Sequence, residues 1–481
     1  MIIPEFSKFV TNLKFKDIPK VSIEKAKLCF LDYLSVYKRG LYEENSKVAI
    51  KTLLDLGYLK TYDVLNKGLI NGIASHSLDL DDGHRLAFLH PGVIIFSTAL
   101  AILQDEKIKE CSNISVETFF ESVVASYEIA IVLGMLVNPN HRNQGFHSTG
   151  TIGSIISSVT ASKLLNLSLE ETINALALAT TQSAGFLESD HSGSMAKTLH
   201  VGKAVYNGLL STFLAKNGFT GAESIIEGNE GFLKSMVSSR NFDNVDFNVF
   251  LEDNLGKFHI NEVYLKKYPF CRHIHSSIDA ILNLRRDLLK YGDADFVFNL
   301  INKIQIKTYK IASEHDDYSP KTKAALKQSL PYAIAIYLVC GDLSLNLIDE
   351  LIDEGLLSED SEFTLKENMD LNNKVFLIKL IAKNVVINLD TELEDLTPEK
   401  RPSKVSINLN KDYALGFDFD ETIENLVLYP LGECENPLLW DDILNKFSNL
   451  NPNFNLSKLE VLKTMENKSI YEVLDFLKND N

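Results

Sequence analysis

Residues 1–240 carry helix signals almost throughout, with polar helix-opening residues set just ahead of apolar runs. Ser22-Ile-Glu-Lys-Ala-Lys-Leu predicts a helix with Ser22 as its N-cap. Ser115-Val-Glu-Thr repeats that opening before Phe119–Leu133, and Ser168-Leu-Glu-Glu before Thr172–Gly185. Pro91–Leu103 and Leu330–Cys340 are the longest apolar stretches. Both fall short of the ~20 residues a membrane span needs, so both predict buried helices. Small residues recur in Gly150–Ala161, Ala175–Gly185 and Gly202–Gly208, which predicts helices packed closely on one another.

The pattern changes near residue 265. Val297–Thr308 alternates in part and reads as a strand, as do Lys383–Leu389 and Lys404–Leu409, with helices such as Ser329–Leu338 between them. Leu438–Leu477 is helical again. The predicted fold class is therefore mainly α. A large all-helical domain spans 1–265, with 410–481 returning to it, and a smaller α+β domain spans 266–409.

Length and composition narrow the function. The 481 residues are 45% hydrophobic, enough for more than one core. A net charge of −17 without a Lys/Arg cluster argues against a nucleic-acid surface and against docking on anionic membranes. It leaves room for an anionic substrate, because a local basic pocket suffices. Cys29, Cys111, Cys271, Cys340 and Cys434 are scattered and form no C-x-x-C pair. Zinc ribbons, iron–sulfur ligation and a disulfide framework are poorly supported, and reduced thiols fit a cytoplasmic protein. Met1-Ile-Ile-Pro-Glu5 does not read as a signal peptide.

Four segments carry candidate chemistry. His76-Ser-Leu-Asp-Leu-Asp-Asp-Gly-His-Arg-Leu-Ala-Phe-Leu-His90-Pro91 holds Asp79, Asp81, Asp82, three His and Arg85 around a turn at a helix end. It reads equally as a capped, solvated loop or as a cluster of ligands and proton carriers. Gln144-Gly-Phe-His-Ser-Thr-Gly-Thr-Ile-Gly153 sets His147 and Thr149 at a helix entry, where free N–H groups favour a carboxylate. Lys197 and His200 share a helix face three residues apart. Lys266-Lys-Tyr-Pro-Phe-Cys-Arg-His-Ile-His-Ser-Ser-Ile-Asp279 brings Arg272, His273 and His275 to the expected domain junction. On a helix His273 and His275 cannot both face one site. His and Lys for proton transfer, with Arg for carboxylate binding, suit removal of a proton next to a carboxylate.

Together these segments resemble the MmgE/PrpD family. The resemblance rests on His76-Ser-Leu-Asp-Leu-Asp-Asp82 with His90-Pro91, Gly145-Phe-His-Ser-Thr-Gly150, Gln182-Ser-Ala-Gly185 and Lys197-Thr-Leu-His-Val-Gly-Lys-Ala204. Gly218-Phe-Thr-Gly221, Glu227-Gly-Asn-Glu-Gly-Phe232 and Lys266 through Ala280 follow in the family's order. It implies a helical domain with a smaller α+β lid, a homodimer, and no metal or organic cofactor. It implies a lyase acting on a small polycarboxylate: 2-methylcitrate or citrate-type dehydration first, with cis-aconitate decarboxylation or iminodisuccinate epimerisation at the same site as alternatives. The catalytic residues it implies are Asp79, His90, His147, Lys197 and His275, with Arg272, Thr149 and His200 binding substrate. Asp79 would orient a neighbouring His, His90 and His147 would exchange protons, and Lys197 would hold developing charge. Gly83 stands where the family has Thr after Asp-Asp, and Tyr309 and Tyr318 are both candidates for a lid tyrosine. Two other classes remain: a metal-dependent hydrolase using Asp79, His90 and His315-Asp316, and a helical binding protein without catalysis.

Overall fold

The structure, a computed structural model, describes all residues except 59–62, 113, 192, 239, 243–244, 293–297, 299, 342–344, 359–370, 411–420 and 476–481. The chain divides into two compact units, Met1–Leu265 with Leu438–Asn481, and Lys266–Pro437.

The first unit is helical. Its main elements are α1 (Lys20–Gly40), α2 (Val64–His76), α3 (Pro91–Leu103), α4 (Val116–Val137), α5 (Ser148–Leu164), α6 (Leu169–Thr180) and α7 (Ala196–Lys216). Local chemistry explains most of the starts. Pro91 opens α3, where its missing N–H costs nothing. Ser115 caps α4 by accepting from Thr118 N, and Ser168 with Glu171 forms a capping box on α6. Ser22, by contrast, is not a cap. Pro19 takes the N-cap position of α1, so Ser22 is buried inside the first turn and accepts from Asn261 Nδ2 at 3.0 Å. The helix expected to run to Gly185 stops at Thr180 as α6, and Gly185 turns the chain at a φ of 147°.

Glycine lets α2, α5 and α7 approach backbone to backbone. A Cβ on Gly72 would lie 2.8 Å from Gly202 Cα, and one on Gly202 would lie 2.5 Å from Leu69 O. Gly150 and Gly153 of α5 meet His200 and Ala204 of α7 in the same way, with a built Cβ 2.9 Å from each residue's Cβ. Side chains at these positions would force apart the helices that carry the candidate site. α4 is long and apolar enough to cross a membrane, but 89% of its most apolar window is buried in the unit, as for a core helix. The C-terminal helix Trp440–Leu450 packs on α1.

The second unit holds a four-stranded sheet of β1 (Ile301–Thr308), β2 (Val385–Leu389), β3 (Ser403–Leu409) and β4 (Thr422–Val427), in the order β2-β1-β3-β4. β1 pairs parallel to β2 and antiparallel to β3, and β3 pairs antiparallel to β4. Val297, the expected start of the first strand, lies outside the described residues. Along β3, Ser403, Val405, Ile407 and Leu409 alternate inward. The helix α8 (His275–Leu288) packs on β3 and β4, and α9 (Leu330–Cys340) on α8. β4 was not foreseen, because Glu424 and Asn425 interrupt its apolar pattern and its hydrogen bonds all come from β3. As a result the stretch after residue 410 contributes a strand here, and the chain rejoins the helical unit only at Leu438.

Candidate active site

In the first unit, the loop from α2 to α3 is built on buried acids. α2 ends at His76, whose Nδ1 lies 2.9 Å from Asp81 Oδ2. The same carboxylate oxygen is 3.3 Å from His90 Nδ1, which donates at 2.5 Å to the backbone oxygen of Asp82. Asp82 Oδ1 accepts from Gly92 N at the start of α3, and Oδ2 accepts from Tyr127 Oη at 2.6 Å. Burial pushes the Asp82 carboxyl up to about 7, opposed by the Tyr127 hydrogen bond and raised further by Asp81 and Asp32. Asp32, also raised by burial, is held by Lys446 at 2.6 Å, and Lys446 donates as well to Leu80 O. This frame fixes His90 with its Nδ1 bound beneath it.

Asp79 sits in this loop at a φ of 53°, a left-handed conformation uncommon for a residue with a side chain. Its Oδ1 lies 3.6 Å from Lys197 Nζ on α7. The resemblance had Asp79 orienting a histidine; here Asp79 pairs with Lys197, and Asp81 holds His76 and His90.

His147 is the N-cap residue of α5, and its ring Nδ1 lies 3.2 Å from His200 Nδ1 on α7. Such a contact requires one ring to donate and the other to accept, so the two tautomers are linked. A Cβ on Gly185 would lie 3.3 Å from His200 Nδ1, so the Gln182–Gly185 turn packs closely against that ring. Thr149 is fully buried, and its hydroxyl accepts from His90 N at 3.1 Å. It ties the loop to α5 from within the core.

The imidazoles form a row. Ring centroids are 5.2 Å apart for His90 and His76, 6.0 Å for His76 and His147, and 5.3 Å for His147 and His200. Asp79 is thus paired with Lys197, and His90, His76, His147 and His200 are successive neighbours; His76 and Asp81 were not assigned roles from the sequence. Both lie in the His76–Asp82 motif, so the signal was present. Nothing in the string separated the acid that faces Lys197 from the acids that hold rings.

The candidates of the second unit have partners within it. Arg272 Nη2 lies 2.9 Å from Glu433 Oε1, and Nη1 donates to Leu431 O at 2.9 Å and to His275 Nδ1 at 3.0 Å. Glu433 is 1% exposed and Arg272 3%. The carboxylate held by Arg272 in this structure is therefore the protein's own. An arginine cannot accept, so His275 Nδ1 accepts and Nε2 carries the hydrogen, donating to Phe270 O at 3.0 Å. His273 turns the other way: its Nδ1 meets Tyr309 Oη at 2.8 Å, and its ring stacks on His315. His315 Nε2 in turn lies 3.4 Å from Cys271 Sγ, whereas Asp316 is exposed. Tyr318 donates to Val385 O. Among the described residues, no group of three or more His, Cys, Asp or Glu is arranged to hold a metal ion.

Residues 4–244 match the MmgE/PrpD N-terminal domain and residues 268–356 the MmgE/PrpD C-terminal domain. The chain belongs to the MmgE/PrpD family. A cis-aconitate decarboxylase of Aspergillus terreus is 24% identical over 466 residues, covering 93% of this MmgE/PrpD chain and 88% of the relative. A cis-aconitate decarboxylase-like protein, oryM, of Aspergillus oryzae is 25% identical over 386 residues, 75% of this chain and 80% of the relative. The Mus musculus cis-aconitate decarboxylase is 23% identical over 361 residues, 70% of each chain. Gly83, the departure from the family's Thr, pairs by both backbone hydrogen bonds with Tyr264. A Cβ on Gly83 would fall 2.3 Å from Tyr264 Oη, so the phenol fills the space of a side chain at 83.

Proposed function

We propose that this protein is a lyase acting on a small polycarboxylate, and that its reaction is the decarboxylation of cis-aconitate or a close analogue. The observation that carries the reading is the Lys197 ammonium, paired with Asp79 and one helical turn from His200, in a unit where His200, His147, His76 and His90 are successive neighbours braced by buried acids. The relatives named as cis-aconitate decarboxylases, matched along most of the chain, favour decarboxylation over the dehydration ranked first from sequence.

The chemistry needs those parts. When the CH2-bound carboxylate of cis-aconitate leaves as CO2, its bonding pair forms a new C=C and the old double bond's pair moves to the carbon beside another carboxylate. That enediolate-like charge is stabilised by a fixed cation, the part given to Lys197. An imidazolium then donates a proton to that carbon, closing the C–H bond; His90 and His147 are the donors proposed. Asp79 holds Lys197 in place. Thr149 positions His90, and His200 sets the tautomer of His147. Within this reading Arg272 and His275 are positioning residues of the second unit. A homodimer in the cytoplasm, working without metal or organic cofactor, completes the proposal.

Dehydration of a citrate-type acid is the second reading, favoured by the same pair of histidines: one removes the proton next to a carboxylate and the other protonates the leaving hydroxyl. Purified protein incubated separately with cis-aconitate, citrate and 2-methylcitrate decides between them. Stoichiometric CO2 from cis-aconitate supports the first reading. An unsaturated acid formed from either hydroxy acid without CO2 supports the second. No turnover of any of the three overturns both.

A further inference from the structure

His76 has no part in the mechanism above, yet it stands second in the row of rings. It is 2% exposed, and its Nδ1 faces Asp81 Oδ2 at 2.9 Å. A carboxylate only accepts, so Nδ1 carries the hydrogen. The other ring nitrogen, Nε2, is buried and has no hydrogen-bond partner among the described residues. An unpaired buried group of this kind is costly, and histidines kept for packing are normally satisfied at both nitrogens. Others in this chain are, His84 and His259 among them. His141 uses Met236 O and Thr151 Oγ1, and His275 uses Arg272 and Phe270 O. His76 is left with a free nitrogen between two rings assigned to proton transfer, with His90 at 5.2 Å and His147 at 6.0 Å.

Charged and titratable groups surround His76. Asp81 lies against its Nδ1, and Asp81 acts electrostatically on Asp82 from the same loop and on Asp32 from α1. Lys446 is bound to Asp32 at 2.6 Å. From α7, Lys197 is paired with Asp79, and His200 with His147. Asp81 is thus the acid in contact with His76, while Asp82 and Asp32, both pushed up by burial, lie further along the same cluster and Lys446 holds Asp32.

We propose that His76 is a second carboxylate-binding group of this site. When a polycarboxylate binds, Nε2 takes a proton from solvent and donates a charge-assisted hydrogen bond to one of the acid's carboxylates, while Asp81 holds the imidazolium from behind. Lys197 and His76 would then grip separate carboxylates of one acid, which selects for at least two of them. The proposal rests on the polycarboxylate reading of the site.

Tricarballylate tests it, because this saturated tricarboxylate has neither a hydroxyl to eliminate nor a double bond to move. Calorimetric titration in buffers of different ionisation enthalpy, near neutral pH, counts the protons taken up. Wild-type protein should take up about one proton per acid bound. His76→Asn, which keeps a donor for Asp81, should lose most of that uptake and bind about tenfold or more weakly. In wild-type protein, the 15N signal of His76 Nε2 should move from the unprotonated to the protonated range on adding the acid, a readout that does not depend on the variant folding. Unchanged uptake and affinity in a folded His76→Asn, or an Nε2 that stays unprotonated in the complex, overturns the proposal while the lyase reading stands. Failure of wild-type protein to bind tricarballylate, cis-aconitate or citrate at millimolar concentration overturns the polycarboxylate reading as well.

Discussion

Lys197 Nζ lies 3.6 Å from Asp79 Oδ1, and Asp79 reaches it from a left-handed backbone conformation. The loop holds a left-handed residue against the Lys197 ammonium, a placement typical of functional sites. Under the proposed mechanism Lys197 stabilises charge in the transition state, so in Lys197→Ala kcat should fall by about 100- to 1000-fold with the fold intact. Lys203 is exposed on the same helix, and Lys203→Ala serves as the control with near-normal kcat. Steady-state kinetics on the authentic substrate, with circular dichroism for the fold, decide it. Near-normal kcat in Lys197→Ala would remove the mechanism's main cation.

Asp82 gives a pH prediction whose sign is opposite to that of an ordinary paired carboxylate. Burial raises its folded-state value to about 7, so between the usual carboxylate range and that value the folded protein binds more protons than the unfolded chain. This group's contribution to stability therefore declines as pH rises through that window. Asp82→Asn can still accept from Gly92 N and donate to Tyr127 Oη, and it cannot ionise. Denaturant melts at mildly acidic and neutral pH should show a smaller loss of stability in the variant than in the wild type. An identical pH slope in both would show that Asp82 is not the titrating group.

Position 83 is sterically closed by Tyr264. Gly83→Thr should destabilise by about 1–3 kcal/mol, the usual cost of overpacking, because the phenol has to leave. Adding Tyr264→Ala should recover much of that loss by opening the same space. Thermal melts of the two single variants and the double variant measure the coupling. Additive losses would mean that the two side chains do not compete.

Arg272 separates a structural pair from a substrate clamp. Arg272→Ala leaves buried Glu433 with Arg401 Nη1 at 3.9 Å as its other cation, so the loss of stability should approach the ~3–5 kcal/mol of breaking a buried ion pair. Arg272→Ala combined with Glu433→Gln should recover part of it. A variant that melts like the wild type but shows a raised KM would assign Arg272 to substrate instead.

Much of this molecule could be read from the string, and the limit of that reading has a physical cause. Helix existence follows from local chemistry: Ser115, Ser168 and Pro91 start helices through their own side chains, and Pro91–Leu103 and Leu330–Cys340 have the observed bounds. The glycines of α5 and α7 announced close packing, because only small residues allow that approach, whereas Gly72 of α2 was not singled out. The site segments were visible for the same reason, since His, Lys and Asp are scarce in such apolar surroundings. What the string could not express is direction. Asp79, Asp81 and Asp82 are almost adjacent, yet one meets Lys197, one meets two imidazoles and one meets Tyr127 and the start of α3. The backbone turn between α2 and α3, including the left-handed Asp79, distributes them, and α4, α5 and α7 supply partners from distant positions in the chain. Ser22 lost its predicted role to Pro19 through a choice between neighbouring caps, and β4 exists because β3 offers it hydrogen bonds. Pairing partners are set by three-dimensional packing; the sequence determined which chemical groups were available, and the tertiary structure decided which of them meet.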